Sequence, residues 1–83
     1  MQVPALNNYR KNLRKAMEAA KISQRDLALK ADMSYSYVNR ILRGNTDPSV
    51  PQAERLAKAA GFTLADLIAS PKDFSSTHLT AVA

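Results

Sequence analysis

Residues 23–44 read Ser23-Gln24-Arg25-Asp26-Leu27-Ala28-Leu29-Lys30-Ala31-Asp32-Met33-Ser34-Tyr35-Ser36-Tyr37-Val38-Asn39-Arg40-Ile41-Leu42-Arg43-Gly44. Their spacing predicts two short helices meeting at a tight corner. Ser23 is a good N-cap, and Asp26 three residues on can supply the acidic half of a capping box. Leu27, Ala28 and Ala31 then turn inward, and the first helix stops at Asp32-Met33. Ser34 is the next cap, and Val38, Ile41 and Leu42 keep helical spacing up to Arg43. Gly44 follows directly, where a left-handed residue closes a helix at no steric cost. Two helices this close need a small residue inside the first, and Ala28 supplies it. The corner needs positive φ, which Asp32 visits more readily than most residues. Val38 and Ile41 pack on Leu27 and Ala31 with Met33 in the bend. The outer face of the second helix and the N-termini of both are left to meet a ligand.

Working outward, apolar residues at Tyr9, Leu13, Ala16, Met17 and Ala20 predict a helix over about 8–20. Arg10, Arg14 and Lys21 line one flank of it. Residues 1–8, with Pro4 and little periodicity, read as an arm. Downstream, 45–48 is a loop and Ser49 caps a fourth helix, with Pro51 in its first turn, where a missing N–H costs nothing. Ala53, Leu56, Ala57 and Ala60 face inward and Gly61 ends that helix. Thr63 then caps a short fifth helix carrying Leu64, Leu67 and Ile68. Ser70-Pro71 closes the ordered part, and the tail, 70–83, reads as disordered, as a dimerisation segment or as a linker. The expectation is an all-α bundle of five helices spanning 9–69.

Composition narrows the function. The 83 residues carry a net charge of +5 and no cysteine, which excludes disulfides and thiolate metal sites. Nothing resembles a membrane span or a secretory signal, so the cytoplasm is the expected location. The charge is unevenly placed. Residues 10–43 hold nine basic side chains against three acidic ones, whereas 44–83 net −1. A polyanion is the natural partner of the first half. Catalysis finds no support: the single histidine, His78, lies in the tail, no nucleophile has a base partner, and no cofactor or metal spacing appears.

The pattern Ser23-Gln24-x-x-Leu27-Ala28, the corner at Asp32, then Val38, Ile41 and Gly44 resembles the helix-turn-helix of the lambda-repressor and Cro-like family. The similarity continues through Phe62-x-Leu64-x-x-Leu67-Ile68 and covers about 9–69. It departs from the family at Asp32, where glycine is usual. The resemblance implies a lambda-repressor-like fold and a transcriptional regulator, a repressor of the phage or bacterial kind binding a pseudo-palindromic double-stranded operator as a homodimer. It implies further that Gln24 bonds a DNA phosphate, in keeping with the anion preference of a helix N-terminus. Tyr35, Ser36 and Arg40 match the positions that face base edges in the major groove. Ser34, Tyr37, Asn39 and Arg43, with Asn45 and Thr46 after the helix, match positions beside the backbone. The arginine fork of Arg40 suits the O6 and N7 of guanine. Lys11, Arg14 and Lys15 add long-range attraction.

Leu64, Leu67 and Ile68 are the expected dimer surface. An alternative is an antitoxin-type module that uses these residues with Phe74 and Leu79 to hold a partner protein (a toxin, or a C-terminal regulatory domain) while autoregulating its operon. RNA fits less well, because its deep, narrow major groove does not admit a helix.

Overall fold

Six helices account for the described residues, 4–74, in a computed structural model: α1 Pro4–Ala20, α2 Gln24–Ala31, α3 Tyr35–Arg43, α4 Val50–Ala59, α5 Leu64–Ile68 and α6 Pro71–Phe74. Their starts follow one local rule. Ser23, Ser34, Ser49 and Thr63 all have extended backbone and accept, through the side-chain hydroxyl, the N–H three residues on. Asp26, Gln52 and Asp66 return the bond to the cap residue's own N–H, completing three capping boxes. Each cap satisfies donors that the helix leaves orphaned.

The corner between α2 and α3 has the anticipated conformation. Asp32 sits in the left-handed region at φ 57°. Its N–H bonds Leu29 O at 3.2 Å and the Met33 N–H bonds Ala28 O at 2.9 Å, closing α2. Gly44, at φ 82°, does the same for α3: its N–H reaches Ile41 O and the Asn45 N–H reaches Arg40 O.

One core joins the helices. Tyr9, Leu13, Ala16 and Met17 from α1 meet Leu27, Ala28 and Ala31 from α2, Val38, Ile41 and Leu42 from α3, Leu56 and Ala57 from α4, and Leu67. Burying each large apolar side chain stabilises the fold by about 1.5–3 kcal/mol. Polar bonds fasten the layers. The Tyr9 hydroxyl donates to Ala53 O at 2.9 Å inside the core, and burial pushes its pKa well above the ordinary tyrosine value. Asn12, fully buried, donates its amide to Leu67 O and Ala69 O, 2.7 Å each, tying α1 to the end of α5.

Three expectations from the sequence are corrected. Residues 4–8 belong to α1 rather than to an arm, because proline is compatible with the first turn of a helix; residues 1–3 of that arm lie outside the described residues. Ser70-Pro71 does not close the ordered part: Ser70 Oγ accepts the Asp73 N–H at 3.2 Å and opens a sixth helix. That helix delivers Phe74, fully buried, edge-on to Phe62 at 5.1 Å between ring centroids. Leu67 is also fully buried and has no surface to offer a second copy. The rest of the tail, 75–83 with His78 and Leu79, lies outside the described residues.

Candidate nucleic-acid interface

α3 presents two unlike sides. Val38, Ile41 and Leu42 are buried, and Tyr35, Ser36, Arg40 and Arg43 are exposed. The split follows from 3.6-residue periodicity, since the three apolar residues share one side and the polar positions fill the other. Ser34 and Asn45, at the two ends of the helix, are exposed as well.

The start of α2 lies beside α3. Asn39 Nδ2 donates to Gln24 Oε1 at 2.9 Å, bridging the two helices. With its oxygen engaged, Gln24 keeps its Nε2 donors at the N-terminus of α2, where helix N–H groups favour an anion. One turn of the corner away, the guanidinium carbon of Arg25 stands 5.5 Å from the centroid of the Tyr35 ring. Cation–π contact thus links the second residue of α2 to the first of α3. Arg25 was not among the residues singled out from the sequence, because nothing local relates positions ten apart across a turn. A hindsight signal exists in that both residues open consecutive helices.

Three residues read from the sequence as backbone neighbours or as positive charge have bonds within the fold. The Tyr37 hydroxyl donates to Gln52 Oε1 at 2.7 Å, the same oxygen that accepts the Ser49 N–H at 3.0 Å. It therefore anchors α3 to the capped start of α4. Arg10 is buried rather than displayed. Its Nε donates to Ile41 O at 2.8 Å, and one terminal nitrogen reaches Thr46 O at 3.1 Å and Asp47 Oδ1 at 2.5 Å. Arg14 donates to Leu42 O at 2.6 Å. The two arginines satisfy the last carbonyls of α3 and complement its negative end. Arg10 is buried and paired with Asp47, whereas Arg14 holds the helix end and stays exposed.

The remaining site predictions are placed as follows. Leu64 packs against the core edge, and Ile68 is 43% exposed. Both line an apolar groove with Leu6, Tyr9, Pro48, Val50 and Ala53, of which Val50 is 63% exposed. No described helix is long and apolar enough to cross a membrane.

Among protein families, the one described as helix-turn-helix matches residues 13–67. Searches of curated proteins and of solved structures found no match. The matched span runs from the middle of α1 to the end of α5 and contains the whole α2–corner–α3 unit with its exposed outer side. The chain belongs to the lambda-repressor/Cro-like helix-turn-helix family of DNA-binding transcription regulators.

Proposed function

We propose that the chain is a sequence-specific repressor of the phage or bacterial kind, working in the cytoplasm on double-stranded operator DNA. The observation that carries this reading is the polar outer side of α3, open at Tyr35, Ser36, Arg40 and Arg43 while its inner side is sealed. A helix of nine residues fits the major groove of B-DNA. In this reading Tyr35, Ser36 and Arg40 address base edges. Gln24, held by Asn39, donates to a phosphate at the start of α2. Ser34, Arg43 and Asn45 lie along the backbone at the two ends of α3.

A second copy covers the apolar groove around Val50, Leu64 and Ile68, whose exposed side chains are more favourably buried than solvated. Two-fold pairing would set half-sites about 34–36 Å apart, one turn of DNA.

The test is selection of binding sites from random duplexes with the whole chain, followed by sizing of the complex. The expected result is a pseudo-palindromic consensus bound by two copies, with affinity falling steeply as salt rises, because phosphate neutralisation releases counterions. Equal affinity for all duplexes would overturn sequence specificity. A selective complex containing one copy would overturn the dimer. Capture of a co-encoded partner on the groove, without DNA affinity, would favour the antitoxin-type reading instead.

A further inference from the structure

We infer that Arg25 is a specificity-determining residue of this interface: placed over the Tyr35 ring, it sets the orientation in which that ring meets a base. The inference rests on the DNA-docking reading above and adds a residue to it.

The argument starts from the ring. Tyr35 is the first residue of α3 and is 48% exposed. About half of it faces solvent, so core packing holds it less firmly than the buried side chains of α3. Arg25 adds a restraint, since its guanidinium lies over the ring at 5.5 Å. A guanidinium has five N–H donors in a fork, and one set over a ring keeps donors directed away from the contact. One side chain can therefore hold a ring and donate to a phosphate at the same time. Arg25 is available for this. The described ion pairs are Arg10 with Asp47 and Arg55 with Asp32. The nearby Asp26 carboxylate is engaged with the Ser23 N–H. The contact also spans the corner, so it fixes the ring to α2, the helix whose N-terminus carries Gln24. A ring so held presents an apolar edge in one place, and the base feature that suits it is the thymine methyl group.

The test compares base-preference profiles, obtained by selection from random duplexes, for the whole chain and for Arg25→Ala, Arg25→Lys, Tyr35→Phe, Tyr35→Ala and the double alanine variant. Arg25→Ala is expected to lower the thymine preference at one position by about two- to fivefold. It should leave intact the position that Arg40→Ala relaxes. The slope of log affinity against log salt should fall by about one. Arg25→Lys should keep the salt slope and part of the preference, because an ammonium over the ring also makes a cation–π contact, less often favoured than arginine's. Tyr35→Phe should keep the preference. In the Tyr35→Ala background, Arg25→Ala should alter no base preference. If Arg25→Ala weakens all sequences equally, or acts alike with and without the Tyr35 ring, the inference is overturned and Arg25 is only a backbone cation. If the unmodified chain selects no sequence, the docking reading itself fails, and a flat profile distinguishes that failure from this one.

Discussion

Asn39, half-buried midway along α3, donates its side-chain amide to Oε1 of Gln24, the first residue of α2, at 2.9 Å. The bond ties the start of α2 to the middle of α3, so in the proposed docking Gln24 and α3 are expected to act together. Asn39→Ala should lower affinity for every duplex alike, by roughly fivefold, the worth of one hydrogen bond near 1 kcal/mol. Adding Gln24→Ala should then cost less than it does in the unmodified chain. Titrations of both single variants and the double variant check the coupling. Additive effects would show that the bond does not matter to docking.

Arg40 is exposed on α3, one turn from its C-terminal end. Arg40→Ala should relax the preference at one base position, with discrimination there falling by about 1–3 kcal/mol. Gln24→Ala should weaken all sequences equally. Competition binding against single-base operator variants separates the two behaviours. Identical profiles would remove the division between reading and clamping.

Arg10 concerns stability more than recognition. Arg10→Met would keep much of the buried stem and strip the donors from Ile41 O and Thr46 O. The expected loss is about 1–3 kcal/mol, two hydrogen bonds at about 0.5–1.5 kcal/mol each, since Ile41 O keeps the Gly44 N–H. Asp47→Asn should cost less, about 0–1 kcal/mol, because the Asp47 side chain is 65% exposed against 9% for Arg10 and water screens the pair. Urea unfolding midpoints of the two variants give the comparison. A larger loss from Asp47→Asn would mean that the ion pair, not the carbonyl contacts, holds the α3–α4 loop.

Tyr9 predicts a dependence on alkaline pH. Burial raises its pKa above the ordinary value, so the folded chain binds the proton more tightly than the unfolded one. The stabilisation is complete below the unfolded pKa, about 10, and is lost as pH climbs beyond it. Tyr9→Phe removes the bond to Ala53 O and should lower stability by about 1 kcal/mol at neutral pH. Its decline at high pH should be shallower, so that the gap between the two proteins narrows. Unfolding midpoints at about pH 8 and about pH 11 measure this. Parallel curves would show that the phenol does not govern the alkaline limit.

Local features were legible because their causes are local. A serine or threonine just before a helical run caps it through its own hydroxyl, and Ser23, Ser34, Ser49 and Thr63 do so as expected, Ser23 with Asp26 as its capping-box partner. The inward faces of α2, α3 and α4 followed from spacing alone. The positive φ of Asp32 and Gly44 followed from where the helices had to stop. By the same logic the exposed outer side of α3 could be named from the residues that its apolar side left over.

The sequence by itself thus determined the helices of the α2–α3 unit, their caps and the two faces of α3. Hydrogen bonds and side-chain periods within four residues carry that information. Only the tertiary structure decided that Arg10 and Arg14 close the end of α3, that Tyr37 reaches Gln52, that Phe74 and Leu67 are interior, and that Arg25 lies over Tyr35. Each of these depends on which distant segments pack side by side. A long side chain such as arginine has the same local signature whether its head finds water, a phosphate or a carbonyl thirty residues away.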